Sequence, residues 1–211
     1  MFGVAIASSS PAVGARCAHA RAGAGAVATQ NITDPALGPL ILDSLARGAP
    51  AQEALHAALS STEFAEYRQL LVLDPHGPPL VHSGRHALGV AGWASAEDCA
   101  AAGNLLAHSG VPAAMVAAFD EARGHLGDRL LEALSAGIAK GGEAGPIHSA
   151  ALLIVRDVSW PIVDLRVDWS EDRPIAQLRD AWAIYAPQID AYVGRALDPE
   201  HSPAFGVSGD P

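Results

Sequence analysis

Short apolar runs and helical periodicities follow one another in a set order along this chain, and that order constrains the fold more than any other feature. Gly and Pro supply the punctuation, because the abundant Ala suits helices and small-residue strands alike. Residues 2–7 read as a buried strand, ended by Ser8-Ser9-Ser10-Pro11. Residues 23–30 read as a second strand, with Ala22, Ala24, Ala26 and Ala28 on one face. Such small side chains predict a close neighbour over the backbone. Asp34 and Pro35 open a helix as cap and first position, with Leu37, Leu40, Ile41 and Leu45 on one stripe and Gly48 at its end. Pro50 starts a second helix, with Ala54, Leu55, Ala58 and Leu59 inward.

Strands then cluster. They are predicted over 67–74, over 80–83 after the turn Pro75-His76-Gly77-Pro78, over 88–94 and over 99–106. Helices follow from Pro112 and over 126–139, ending at Gly141-Gly142. The apolar run after His148 is the clearest strand, and 162–167 alternates Val163, Leu165 and Val167 against Asp164, Arg166 and Asp168. From Pro174, residues Ile175, Leu178, Trp182, Tyr185, Ile189, Tyr192 and Ala196 form a helical face that Pro187 should kink near Ala186. Clustered strands with paired helices do not make a doubly wound sheet. They predict an α+β protein of mainly antiparallel sheets, two sheets enclosed by two helical layers. The expected domain runs from 1 to 198, with 199–211 a flexible tail.

Composition narrows the function classes. Acidic residues outnumber basic ones, 23 to 13, giving a net charge of -10, and Lys140 is the single lysine. Phosphate backbones and anionic membranes are therefore poor partners, so neither nucleic acid nor membrane is expected. No run approaches the roughly 20 apolar residues of a membrane span. The apolar N-terminus lacks a basic flank, so it reads as a strand, and a cytoplasmic location is expected. Cys17 and Cys99 form no CxxC and are expected to be reduced core thiols. Of the nine histidines only His82 and His86 stand in HxxxH spacing, with a turn expected between them, so no metal is expected, and no cofactor either.

Several motifs carry competing readings. Gly23 to Ala28 matches GxGxxA, but a strand-like stretch follows where pyrophosphate binding needs a helix N-terminus. Ser149 lies outside any GxSxG elbow; a conventional hydrolase would have to pair it with His148 or His82. Asp164, Arg166 and Asp168 read as charges paired along a solvent face. The 141–146 loop is either a ligand-approach loop or a plain connection. Gly103-Asn104 marks either a bulge or a substrate contact.

The motifs FGVAIASS at 2–9, AVG at 12–14, RAGAGAVATQ at 21–30, NITDPALGP at 31–39, HSG at 82–84, AGNLL at 102–106, the 141–153 segment and VDLRVD at 163–168 resemble, in order, the prokaryotic domain of unknown function 1028 family. The resemblance implies the αββα four-layer sandwich of N-terminal-nucleophile (Ntn) hydrolases and hydrolysis of a linear amide in a small molecule or peptide. In such enzymes the first residue is Thr, Ser or Cys, and its own α-amine, with a pKa near 7.7–8.0, is the base. Family members start with an additional strand and turn, headed by the nucleophile. Here Phe2 follows Met1 and offers no nucleophilic atom. The catalytic residue is expected upstream of Met1; the alternative is a member that binds a small ligand without catalysis. The resemblance makes Arg21 the candidate cation beside the nucleophile and places Ser8 and Ser9 at the cleft. Thr29, Gln30, His82, Asn104, Glu143 and Ser149 are further pocket candidates. An unpaired strand edge and the apolar terminal helix suggest a homodimer.

Overall fold

The structure is a computed structural model, and it describes residues 1–209. In chain order the elements are β1 (Phe2–Ser8), α1 (Val13–Cys17), β2 (Ala18–Arg21), β3 (Gly25–Gln30), α2 (Leu37–Ala46), α3 (Ala51–Ser60), β4 (Gln69–Leu73) and β5 (Leu80–Ser83). There follow β6 (Val90–Ser95), β7 (Ala100–Leu106), α4 (Val111–Glu121), α5 (Leu126–Ala139), β8 (Ser149–Val155), β9 (Val163–Val167), α6 (Pro174–Tyr185) and α7 (Ile189–Leu197). All strand pairings are antiparallel, in sheets ordered β1-β8-β9, β2-β3-β4-β5 and β6-β7. The expected mixture of antiparallel sheets and helices is what forms.

Burial explains the strand sequences. All seven residues of β8 are buried, which is why it reads as one apolar run. On one face, Leu152 and Ile154 pack with Leu131 and Leu134 of α5 and Leu178 and Trp182 of α6. On the other, Ala151 meets Val13 and Cys17 of α1. A Cβ on Gly14 would collide with that of Ala151, so α1 lies close only because residue 14 has no side chain. In the second sheet, Val27, Leu70 and Val72 pack under Leu37, Ile41, Leu45, Ala54, Leu55 and Ala58 of α2 and α3. The facing side of that sheet offers Ala26 and Ala28 to Val4 of β1. The small residues noted on β3 thus let two sheets approach. The α4–α5 hairpin spans two sheets, with α5 against β1 and β8 and α4 against β6 and β7.

Some local expectations need correction. The segment after Ser8 is more than a break: it holds α1 and β2, too short and too rich in Ala to show periodicity. The helix expected from Pro35 begins at Leu37, because Asp34 Oδ1 accepts from the Ala36 N–H at 3.0 Å and closes a turn instead. Gly23 and Gly25 adopt φ of 74° and 155° in the β2–β3 hairpin, and a Cβ on Gly25 would strike the Leu73 carbonyl. These glycines therefore serve a turn and a close approach, and no phosphate loop forms. Pro187 interrupts the last helix as expected: a 3-10 turn at Ala186–Gln188 separates α6 from α7. Beyond Asp198, Phe205 lies beneath the Arg195 guanidinium at 3.9 Å.

Candidate functional site

One elongated cavity of about 1330 Å³ lies between β1 and β7. The inner face of β3 and β4 lines one side, and α4 and α5 line the other. Among the described residues, β1 pairs with β8 alone, and β7 pairs with β6 and, on its other edge, makes an isolated bridge between Leu106 and Glu143. Both strands finish at the same end. There the 141–148 segment bridges them: Ala107 N–H donates to the Gly142 carbonyl at 2.9 Å, Ala144 N–H to Leu105 at 2.8 Å, and His148 N–H to Ser8 at 2.8 Å. Ser9 N–H donates to Glu143 Oε2 at 3.2 Å.

This end of the cavity is polar. Ser8, Ser9, Gln30, Asn104 and Glu143, five of the candidates read from sequence, line the cavity. Ser10, Arg16, Asn31 and Thr33, which sequence reasoning missed, line it too. Every non-glycine residue with positive φ among the described residues lies around this end: Ala12 at 52°, Asn31 at 58°, Ile32 at 40° and Leu105 at 52°. For β-branched Ile32 that conformation is an outlier, and each such residue costs on the order of 1–3 kcal/mol. Packing pins the strain. Asn31 Nδ2 donates to the Tyr67 carbonyl, and its Oδ1 accepts from Leu88 N–H at 3.0 Å. Leu105 N–H donates to the Leu88 carbonyl at 2.8 Å. Leu105 makes the strand irregular beside Gly103-Asn104, and Asn104 borders the cavity.

Two glutamines hold β7 over the second sheet. Gln30 Nε2 donates to Gln69 Oε1 at 2.7 Å and to the Ala102 carbonyl at 3.0 Å. Gln69 Nε2 donates to Ser83 Oγ at 3.0 Å and to the Gly103 carbonyl at 3.2 Å. Gln69 has no solvent exposure, so this ladder satisfies groups that would otherwise be costly to bury.

The remaining candidates lie outside the cavity lining. Arg21 forms a 2.6 Å ion pair with Asp43 at the β2–β3 hairpin, and Arg16 lines the cavity. Thr29 points to the opposite face from Gln30, and its Oγ1 donates to the Asp34 carbonyl at 3.3 Å. His82 Nε2 meets the Ala65 carbonyl at 3.0 Å. Ser149 is fully buried; its Oγ donates to the Ser10 carbonyl at 2.6 Å and accepts from Val13 N–H at 3.2 Å. Ser149 therefore shapes the Ser10 turn from behind. His148 Nδ1 lies 2.8 Å from the Ser170 carbonyl, and its ring stacks on Trp169 at 4.2 Å, so the two do not form a nucleophile–base pair. Arg166 and Asp164 make the surface pair expected of them, at 2.7 Å.

At the other end of β7, ligand atoms of Asp98, Cys99 and Asp120 lie within 4.8 Å of one another. Burial and then the two carboxylates push the Cys99 thiol up to about 11, and its Sγ donates to Asp120 Oδ1 at 3.8 Å. Cys17 is buried as expected, whereas Cys99 is only partly so, and both are free. Among the described residues, no helix is long and apolar enough to cross a membrane.

Fold and cavity together define a mixed α/β protein of antiparallel sheets, covered by helices and opened between two strand edges. The family model described as family of unknown function DUF1028 matches residues 1–178, and the chain belongs to that family. The crystal structure of protein SPO2555 from Silicibacter pomeroyi, also assigned to DUF1028, is similar, with a TM-score of 0.80 and 29% sequence identity. That match covers 86% of this chain and 79% of the other. No curated protein matches.

Proposed function

We propose that this chain is the body of an Ntn-type amidohydrolase with αββα layering, acting on a linear amide in a small molecule or peptide. The observation that supports this reading is the pair of open edges, on β1 and on β7 up to the Leu106–Glu143 bridge, bordering one cavity that is polar where both strands end. A strand that turns back into β1 would run antiparallel to it. Its first residue would fall beside Ser8, Ser9, Asn104 and Glu143. That residue, a Thr, Ser or Cys, attacks the amide carbonyl. Its α-amine takes the proton and delivers it to the leaving amine, and water then releases the acyl group. The Arg16 charge favours the neutral, basic form of the amine by like-charge repulsion. Small-molecule pockets run to roughly 300–1,000 Å³; the larger volume here suits a strand together with its substrate.

The test compares the chain as given with a form extended upstream to a Thr, Ser or Cys start, across a panel of linear amides. Turnover is expected in the extended form alone, with loss when its first residue becomes Ala. Equal turnover in both forms would falsify the N-terminal mechanism. Tight ligand binding by both forms without product would replace the enzyme with a small-ligand-binding member of the same fold.

A further inference from the structure

Among the described residues, six strands stand at sheet edges: β1, β9, β2, β5, β6 and β7. Exposed edges invite pairing with another chain, and natural proteins guard them with charge, proline, brevity or cover. β1 and β7 border the cavity. β9 carries Asp164 and Arg166, joined by hydrogen bonds of 2.7 and 2.8 Å. β2 has four residues and ends in Arg21. β5 has four residues, follows Pro78-Pro79, and sends His82 to the Ala65 carbonyl.

β6 is guarded only by an irregularity in its pairing with β7 between Val90 and Gly92, and is regular from Gly92 to Ser95. Its six residues, Val90-Ala91-Gly92-Trp93-Ala94-Ser95, hold neither charge nor proline. Trp93 is 57% exposed and Val90 44%. A Cβ on Gly92 would face the Ser109 carbonyl at 3.3 Å, just before α4. Side chains alternate along a strand, so Trp93 projects from the side away from α4. The flanks have opposite sign. Arg85 and His86 lie exposed before the strand, and Glu97 and Asp98 lie exposed after it. The Arg85 side chain is 76% exposed, with a single 3.9 Å contact to Glu66.

We infer that β6 is a self-association edge, at which a second copy of this chain pairs its own β6 antiparallel about a two-fold axis near Gly92 and Trp93. Two-stranded sheets from each copy then join into one sheet of four strands, and Trp93 is covered. Antiparallel pairing brings the basic flank of each copy toward the acidic flank of the other, at both ends. Elsewhere the net charge of -10 sets the copies against each other, so the uncharged strand with opposed flanks is where repulsion is least.

Sedimentation equilibrium over a wide micromolar range reads the dimer directly. Trp93→Lys should weaken it roughly thirtyfold with an unchanged far-ultraviolet dichroism spectrum. Ile184→Lys, at a residue 70% exposed on α6, should leave it intact. Should Trp93→Lys not fold, cross-linking decides: Trp93→Cys with Cys99→Ser should oxidise to a covalent dimer faster than Ile184→Cys in the same background. A monomer at every concentration, growth into open polymers, or a dimer weakened by Ile184→Lys and not by Trp93→Lys overturns the inference.

Discussion

Leu70 and Leu71 are neighbours on β4 and sit in opposite kinds of environment. Leu70 faces α2 and α3 with no exposure, inside a cluster that also holds Val27, Ile41 and Val72. Leu71 faces the other way and lines the cavity. The sheet they share is four strands wide and unbroken, whereas the strands facing it divide into β1-β8-β9 and β6-β7. One side of the molecule is thus a closed core, and the other leaves strand edges unpaired around a polar end. Packed apolar side chains fill the helical face of that sheet, and strained backbone gathers around the cavity end.

That contrast can be broken by measurement. The largest effect belongs to Leu70→Ala, which should cost about 3 kcal/mol in chemical denaturation because nothing can collapse into the space left. Gln69→Leu should cost about 2 kcal/mol, since the Gly103 carbonyl and Ser83 lose their buried partner. It should also loosen β7 selectively, seen as faster amide exchange at Ala101 to Gly103. Leu71→Ala should cost only about 1 kcal/mol, because its side chain already borders open volume. Equal losses for Leu70→Ala and Leu71→Ala would show that the cavity face is as tightly packed as the helical face.

The smallest effect concerns pH. Burial, with an opposing hydrogen bond to the Arg16 carbonyl, lowers the His19 pKa below its ordinary value. Its ring packs so closely on α2 that a Cβ at Gly38 would overlap it. A lowered folded-state pKa means that the folded chain holds fewer protons on this group. The stability it contributes is complete above the ordinary imidazole value of about 6.5 and is lost as pH falls through the folded value. Denaturation midpoints from pH 7.5 to 5 should therefore fall more steeply for the native chain than for His19→Gln. Parallel curves would remove His19 from the account.

Much of the fold was legible because Gly and Pro bracket its elements. Leu126–Ala139 and Leu80–Ser83 form where the pattern places them, between Gly124 and Gly141 in the first case and after Pro78-Pro79 in the second. α1 and β2 escaped because five and four residues of mostly small side chains carry no period. The site was legible in part, for a geometric reason. Strand residues alternate between faces, but in β3 both faces are buried. Hydropathy could not say which of Thr29 and Gln30 looks into the cavity. Arg21, placed at the cleft by the resemblance, pairs with Asp43 on a hairpin, whereas Arg16, in a helix that the sequence did not announce, lines the cavity. The strained residues at Ala12, Ile32 and Leu105 give no signal in sequence, since none is the Gly or Asn usual for that conformation.

The α4–α5 hairpin grips β1 through one helix and the β6–β7 pair through the other. Helix packing therefore sets the separation of the two edges together with the 141–148 bridge and the Gln30–Gln69 ladder. A strand entering there would meet the Leu106–Glu143 bridge at one end and open edges along the rest, supplying its own ordering entropy and gaining hydrogen bonds from a pre-organised template. Loosening the helical hairpin, for example at the contact between Met115 and Gly137, would thus alter how well a strand is received without touching a residue that meets it.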